Sequence, residues 1–325
     1  MPEHEPIEPI SAEFSATPAA REPAWSALPT EQANAASADI DRMTPLQIVQ
    51  VMNAEDATVA AAVACELPQI AAAIPAIAER MRRGGRLIYA GAGTSGRLGA
   101  LDAVECPPTF SVPHDRVIGH IAGGAFALIA AAEDVEDRAD AGRADMAGLR
   151  INAVDALVGI TASGRTPYVL GAVAHAREQG ALVVGLACNA PSPLHGLVEI
   201  MIAPLVGPEI IAGSTRLKAG TAQKMVLNML STGTMILLGK TFGNLMVDVL
   251  PTNHKLRERA LAIIGQATGL PRQACEAWLA ATDGEVKTAI LAASANLTPE
   301  AARERLAAHG LVLRAALEAG SETVP

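Results

Sequence analysis

The chain has 325 residues, half of them hydrophobic, enough for one large domain or two ordinary ones with a sizeable core. Aromatic residues make up only 2% and the formal net charge is -9, so ring area for base stacking and a basic field for a polyanion are both lacking, and a nucleic-acid partner is not expected. A small anion remains compatible, because backbone N–H groups at a helix start act locally whatever the net charge.

Residues 1–24 are rich in Pro, Glu and Ala without periodicity and read as a disordered leader. Their start, MPEHEPIEPI, lacks the basic segment and apolar core of a signal peptide. From Thr30 to Arg83 the pattern is helical. Leu46, Val49 and Met52 form one stripe and Ile70, Ile74, Ile77 and Met81 another, before Gly84 and Gly85 stop the second helix.

Short apolar runs then alternate with amphipathic segments, at 86–90, 117–122, 156–160, 182–187 and 199–203. Runs of Ile, Val, Leu and Ala, each closed by a turn signal and followed by a helical stretch, predict strands covered on both faces. The fold class is therefore α/β, a three-layer sandwich around a mainly parallel sheet. The strongest apolar run, 225–238, carries Asn228, Ser231 and Thr232 and falls short of the ~20 residues that span a bilayer, so it reads as a buried helix and no membrane partner is expected. From about Gln266 strand signals vanish, and helical stretches near 271–281, 283–294 and 298–308 predict a small appended module. The expected organisation is a leader over 1–24, an α/β domain with N-terminal helices over 25–265, and a helical module with a tail over 266–325.

Four cysteines, Cys65, Cys106, Cys188 and Cys275, are scattered without a C-x-x-C pair and fit a reducing cytoplasm. The histidines show no ligand spacing, so no metal site is expected.

After the first strand comes Gly91-x-Gly93-x-x-Gly96, the outline of a dinucleotide loop. The second strand ends in Ala122-Gly123-Gly124, without the acidic residue that a ribose hydroxyl needs. Instead a turn recurs: Thr94-Ser95-Gly96-Arg97 follows the first strand, and Ser163-Gly164-Arg165-Thr166 follows the third. Two hydroxyl-rich turns at the carboxyl ends of parallel strands, each opening a helix, suit a compact phosphate, and a phosphosugar is the economical ligand. The plain alternative is that Ser95 and Ser163 are helix N-caps.

The segments GAGTSGRLGALDAVECPPTF, GITASGRTPYV, GPEIIAGSTRLKAGTAQKMVLNMLSTG and GNLMVDV resemble the N-acetylmuramic acid 6-phosphate etherases, enzymes of the sugar isomerase (SIS) fold, over about Thr30 to Leu317. The resemblance implies a cytoplasmic homodimer acting on a small sugar phosphate in cell-wall sugar recycling. Such a lyase removes the D-lactyl ether to give N-acetylglucosamine 6-phosphate and D-lactate. Opening the sugar ring would make this feasible, because an aldehyde at C1 acidifies the C2 proton. A base then takes that proton, an acid protonates the departing ether oxygen, and water adds at C3, with no cofactor required.

The resemblance puts the proton donor at Glu105 in the ECPPT block and the second carboxylate, the candidate base, at Glu136. Pattern alone leaves both open. A helix starting near Ser95 would place Glu105 in its last turn before Pro107 and Pro108, at the negative end of the dipole, where burial would favour a proton-holding carboxyl. In the charge run 131–142, Glu133 and Glu136 would share a helix face, as they would in any solvated run.

By resemblance Glu209, Ser214, Thr215 and Lys218 belong to a loop closing over the sugar and its phosphate, the alternative being a surface Glu209–Lys218 ion pair. Ala125 follows Gly123-Gly124 where relatives often carry Glu. His254 is a candidate for reaching a neighbouring subunit's site. The C-terminal stretch is similar to ubiquitin-associated domains, with Leu279, Val286, Ala289, Ile290 and Leu306 as its core. A sugar-phosphate-sensing regulator and an aldose–ketose isomerase would share the phosphate turns. The two glutamates and the ECPPT block favour the lyase.

Overall fold

Five strands, β1 (Leu87–Gly91), β2 (Val117–Ile121), β3 (Ala156–Ile160), β4 (Leu182–Leu186) and β5 (Ile200–Ile202), pair in parallel in the order β2-β1-β3-β4-β5. They belong to a computed structural model that describes residues 24–130, 134–249 and 251–319. Every residue of β1, β3 and β4 is buried, which is why these strands read as unbroken apolar runs and not as alternation. In register, Leu87 stands between Val117 and Ala156. All five runs marked in the sequence are strands.

Three helices precede the sheet: α1 (Pro45–Asp56), α2 (Val59–Ala64) and α3 (Leu67–Arg82). α4 (Gly93–Phe110) joins β1 to β2, the short α5 (Phe126–Ile129) and α6 (Ala139–Gly148) lie between β2 and β3, α7 (Pro167–Glu178) joins β3 to β4, and α8 (Lys218–Leu237) follows β5. One face of the sheet, with Tyr89 and Val158, packs on Ile70, Ile77, Phe110, Leu227 and Leu230 from α3, α4 and α8. The other, with Ile88 and Leu157, packs on Met146, Tyr168, Val169 and Val173 from α6 and α7. Side chains of this size each contribute roughly 1.5–3 kcal/mol when fully buried, so successive strand residues buried on opposite faces of the sheet fix the three layers.

Two helical expectations change. The α1 stripe is not core: Leu46 is 65% and Val49 56% exposed, and no residue of α1 is buried. α4 does not stop before Pro107 but carries both prolines within it and ends at Phe110, where Ser111 takes a left-handed conformation (φ 50). Proline removes a backbone donor, yet the buried side chains of Cys106 and Phe110 hold this last turn on the core. α8 is the buried helix expected from its sequence, and among the described residues no single helix is long and apolar enough to cross a membrane.

The C-terminal part is all helical: α9 (His254–Thr268), α10 (Arg272–Ala281), α11 (Val286–Ala295), α12 (Pro299–Ala308) and α13 (Leu313–Glu318). Leu279, Val286, Ala289, Ile290 and Leu306 are buried together there, in a core that reaches back through α9 to Val247, ahead of Gln266. Lys287 joins it to the rest of the chain. Its Nζ donates to the carbonyls of Gly239 and Leu311, at 2.9 Å each, and pairs with Asp248 at 2.8 Å. Apart from Ala24, the expected leader lies outside the described residues.

Candidate phosphosugar site

The chain leaves β1 toward β2 on one side and β3 toward β4 on the other, so a crevice opens between the carboxyl ends of β1 and β3, the place where open α/β sheets bind ligands. Both Ser-Gly-Arg turns end there, and a cavity of about 460 Å³ is lined by residues from each.

In the first turn the helix begins straight off the strand. Ala92 is the N-cap of α4, and Ser95 is its third residue. The first intrahelical bond runs from Gly96 N to the Ala92 carbonyl, which leaves the N–H groups of Gly93, Thr94 and Ser95 without helical acceptors beside the cavity their residues line. Gly96 serves packing: a Cβ there would meet the Gly91 carbonyl oxygen and Ile121 Cγ1, each at 2.6 Å, so only glycine lets α4 sit this close to β1 and β2. Arg97 is not among the cavity residues. Its Nη2 donates to the Ala130 carbonyl at 2.9 Å.

The second turn is built differently. Ser163 Oγ accepts from the Arg165 backbone N–H at 3.1 Å, and Thr161 Oγ1 lies 3.3 Å from Ser163 Oγ and 2.8 Å from Thr166 Oγ1, making a chain of three hydroxyls. Gly164 has φ +71, and a Cβ there would meet Ser192 Oγ at 2.3 Å, so the turn requires glycine. Gly164 itself is not a cavity residue. Arg165 is buried, lines the cavity and stands 5.7 Å from the Trp25 ring centroid, a cation–π distance. Neither serine is an N-cap, so the plain alternative falls.

Glu136 and Asp137 form a third wall. Glu136 is not on a helix, as the charge run suggested, but in a turn ahead of α6. The chain takes a left-handed conformation at Asp134 (φ 67), and the Glu136 carbonyl accepts from Tyr168 N–H at 3.0 Å. These two features set the turn against the start of α7. Glu133, its expected neighbour, lies outside the described residues. Thr215 also lines the cavity, whereas Ser214 does not.

Other expected residues stand elsewhere. Glu209 is fully buried, and its carboxylate accepts the N–H groups of Lys218 and Ala219, each at 2.9 Å, where it caps α8 and meets the positive end of the helix dipole. Lys218 is buried too, with Nζ 2.6 Å from Glu55 Oε2, so the pair forms no surface bridge.

Glu105 is exposed, five residues before the end of α4, so the last-turn and burial reasoning for a proton-holding carboxyl does not apply within one chain. It lies ten residues past Ser95, about 15 Å along the helix axis. There it lines a separate cavity of about 220 Å³ with Leu101, Asp102, Lys224 and Asn228. Asp102 is engaged in packing the interior, accepting from Tyr89 Oη at 2.8 Å, Asn228 Nδ2 at 2.6 Å and Ser231 Oγ at 3.1 Å. His254 is the first residue of α9 and Ala125 the N-cap of α5, both exposed. Among the described residues no group of three or more His, Cys, Asp or Glu side chains could hold a metal ion.

Sequence reasoning missed Trp25, Glu31, Asp137 and Thr161 as cavity residues. Thr161 had a signal, a hydroxyl two residues before Ser163. Trp25 and Glu31 had none, because they sit in single 3-10 turns (Trp25–Ala27 and Pro29–Glu31) that have no periodicity.

The parallel sheet and its paired switch-point turns define the class, an α/β protein of SIS type. Residues 69–177 match the family described as the glucokinase regulatory protein N-terminal SIS domain. A phosphoheptose isomerase from Francisella tularensis aligns with a TM-score of 0.46 and 16% identity over 60% of this chain and 100% of its own. At the level of the whole sequence, an N-acetylmuramic acid 6-phosphate etherase from Streptomyces avermitilis is 56% identical over 292 residues, 90% of this chain and 94% of that relative. One from Rubrobacter xylanophilus is 54% identical over 90% of this chain and 97% of its own length. The chain belongs to the N-acetylmuramic acid 6-phosphate etherase family.

Proposed function

We propose that the protein is a lyase that cleaves the D-lactyl ether of N-acetylmuramic acid 6-phosphate to N-acetylglucosamine 6-phosphate and D-lactate. One observation carries this reading beyond kinship: two hydroxyl turns and Glu136 line one cavity at the switch point. The N–H groups of residues 93–95 and the hydroxyls of Thr94, Ser95, Ser163 and Thr166 receive the phosphate. Glu136 takes the C2 proton of the ring-opened sugar, Glu105 protonates the leaving ether oxygen, and the same pair adds water across the resulting C2–C3 double bond. These are proton transfers between carboxylates and substrate, and they require no redox cofactor.

Glu105 cannot serve the cavity of its own chain from its place on α4, so the working unit of this reading is a homodimer in which each chain's Glu105 completes the other's site. Leu101 and Val104 beside it are 50% and 62% exposed, an apolar flank suited to a second copy. Four free thiols, three of them buried, fit a reducing cytoplasm. We read α10 to α12 as a ubiquitin-associated-like module that buttresses the α/β domain, within a functional division near Gln266.

The test is incubation of the protein with N-acetylmuramic acid 6-phosphate, without added metal or nicotinamide, in heavy-oxygen water. D-lactate should appear and the label should enter C3. Label in lactate instead would mean attack on the lactyl carbon and would exclude elimination. The match to a regulatory protein's SIS domain supports one rival, a sugar-phosphate sensor, which would bind the ligand and release no lactate.

A further inference from the structure

Gln223 lies on the first turns of α8 and is 1% exposed. Ser95 Oγ donates to its Oε1 at 3.0 Å, across 128 positions of sequence. Its Nε2 is equally buried and, among the described residues, has no hydrogen-bond partner. A buried amide with one end bonded and the other orphaned is costly, and such orphans mark places where a group does something other than pack. This one stands against the hydroxyl of the first turn.

An amide has a donor end and an acceptor end, whereas a hydroxyl both donates and accepts. While Oε1 faces Ser95, the hydroxyl hydrogen is committed to Gln223 and points away from any anion at the turn. If the amide turns over, Nε2 donates to Ser95 Oγ and the hydroxyl hydrogen becomes available. Without an anion the reversal gains little, because it strands the carbonyl end instead. A phosphate oxygen changes the balance, since a hydroxyl donating to an ionised acceptor makes a bond roughly twice as strong as a neutral one.

We propose that Gln223 is a positioning residue for the phosphate ester, holding Ser95 Oγ at the edge of the cavity and, by reversing its amide, releasing the hydroxyl hydrogen to a phosphate oxygen. The inference rests on the reading of the first turn as a phosphate site and adds a residue that touches no ligand.

The test is a double-mutant cycle on the full chain with Gln223→Leu, Ser95→Ala and both together, titrated calorimetrically with N-acetylglucosamine 6-phosphate and, for comparison, unphosphorylated N-acetylglucosamine. Gln223→Leu should weaken binding of the phosphate about tenfold, the equivalent of one hydrogen bond, and should add nothing once the Ser95 hydroxyl is gone. In turnover the loss should appear in KM, with kcat nearly unchanged. Gln223→Met, unbranched and of similar length, should behave the same way and serves if the Leu variant folds poorly. Equal losses with and without the Ser95 hydroxyl, or no loss in either background, would overturn the proposal. If Ser95→Ala itself leaves phosphate binding untouched, the reading of the turn as a phosphate site fails as well.

Discussion

Asn189 Nδ2 donates to Thr30 Oγ1 at 2.9 Å, and both side chains are fully buried. The bond fastens the N-terminal 3-10 turns, which bring Trp25 and Glu31 to the cavity, to the loop that follows β4. Asn189 Nδ2 also donates to the Ala162 carbonyl at 2.8 Å, so the same amide braces the second hydroxyl turn. Asn189→Ala strips the buried Thr30 hydroxyl and N–H of their partner and takes one of two donors from the Ala162 carbonyl, which keeps the Cys188 N–H, and should cost about 1–3 kcal/mol, read as a lower urea midpoint. KM should rise with it, because two cavity walls lose a shared anchor.

Mixing two inactive variants distinguishes shared from self-contained sites. Glu105→Gln and Glu136→Gln should each nearly abolish lactate release. In a mixed dimer one site receives both glutamates and the other neither, so co-refolding equal amounts should restore roughly a quarter of wild-type activity for a symmetric dimer. Continued inactivity of a mixture proven to exchange subunits would place both carboxylates in one chain's site.

Gly164→Ala should damage the second turn without touching the ligand. The new Cβ would need a left-handed backbone and would stand 2.3 Å from Ser192 Oγ, costing about 1–3 kcal/mol for the conformation alone. Thermal denaturation should show the loss. Ser163→Ala, by contrast, removes the acceptor of the Arg165 N–H and should cost about 1 kcal/mol, while weakening binding of the phosphate about tenfold.

Acid stability should report on Glu55. Hydrogen bonds from Lys218 first and Asn34 second, opposed by burial, hold its carboxyl below its usual 4.5. A group depressed in the folded state adds stability that is fully present above 4.5 and disappears as pH falls through the folded value. Urea midpoints followed from about pH 6 to about pH 3 should therefore fall, and Glu55→Gln should flatten part of that fall. An unchanged slope would mean that the Lys218 contact adds nothing.

The strands are legible in the sequence because a strand buried on both faces must be apolar throughout, and the turns because Ser-Gly-Arg occurs twice at strand ends. The α1 stripe misleads for the same reason that it is visible: periodicity records an apolar face and not whether that face meets the core or something else. Glu209 and Lys218 look like ligand groups because they are charged and flank glycines, but burial commits one to the start of α8 and the other to Glu55.

By itself the sequence determined the parallel α/β sheet, the hydroxyl turns and the kinship, because apolar periodicity and motif spacing are local properties carried by neighbouring residues. Only the tertiary structure decided which groups meet. Trp25 and Glu31 enter the cavity through a hydrogen bond between positions 30 and 189, Gln223 reaches Ser95 across 128 residues, and Glu105 departs along a helix whose two prolines fail to end it. Contacts of that separation are set by how layers stack, and no run of adjacent residues encodes them.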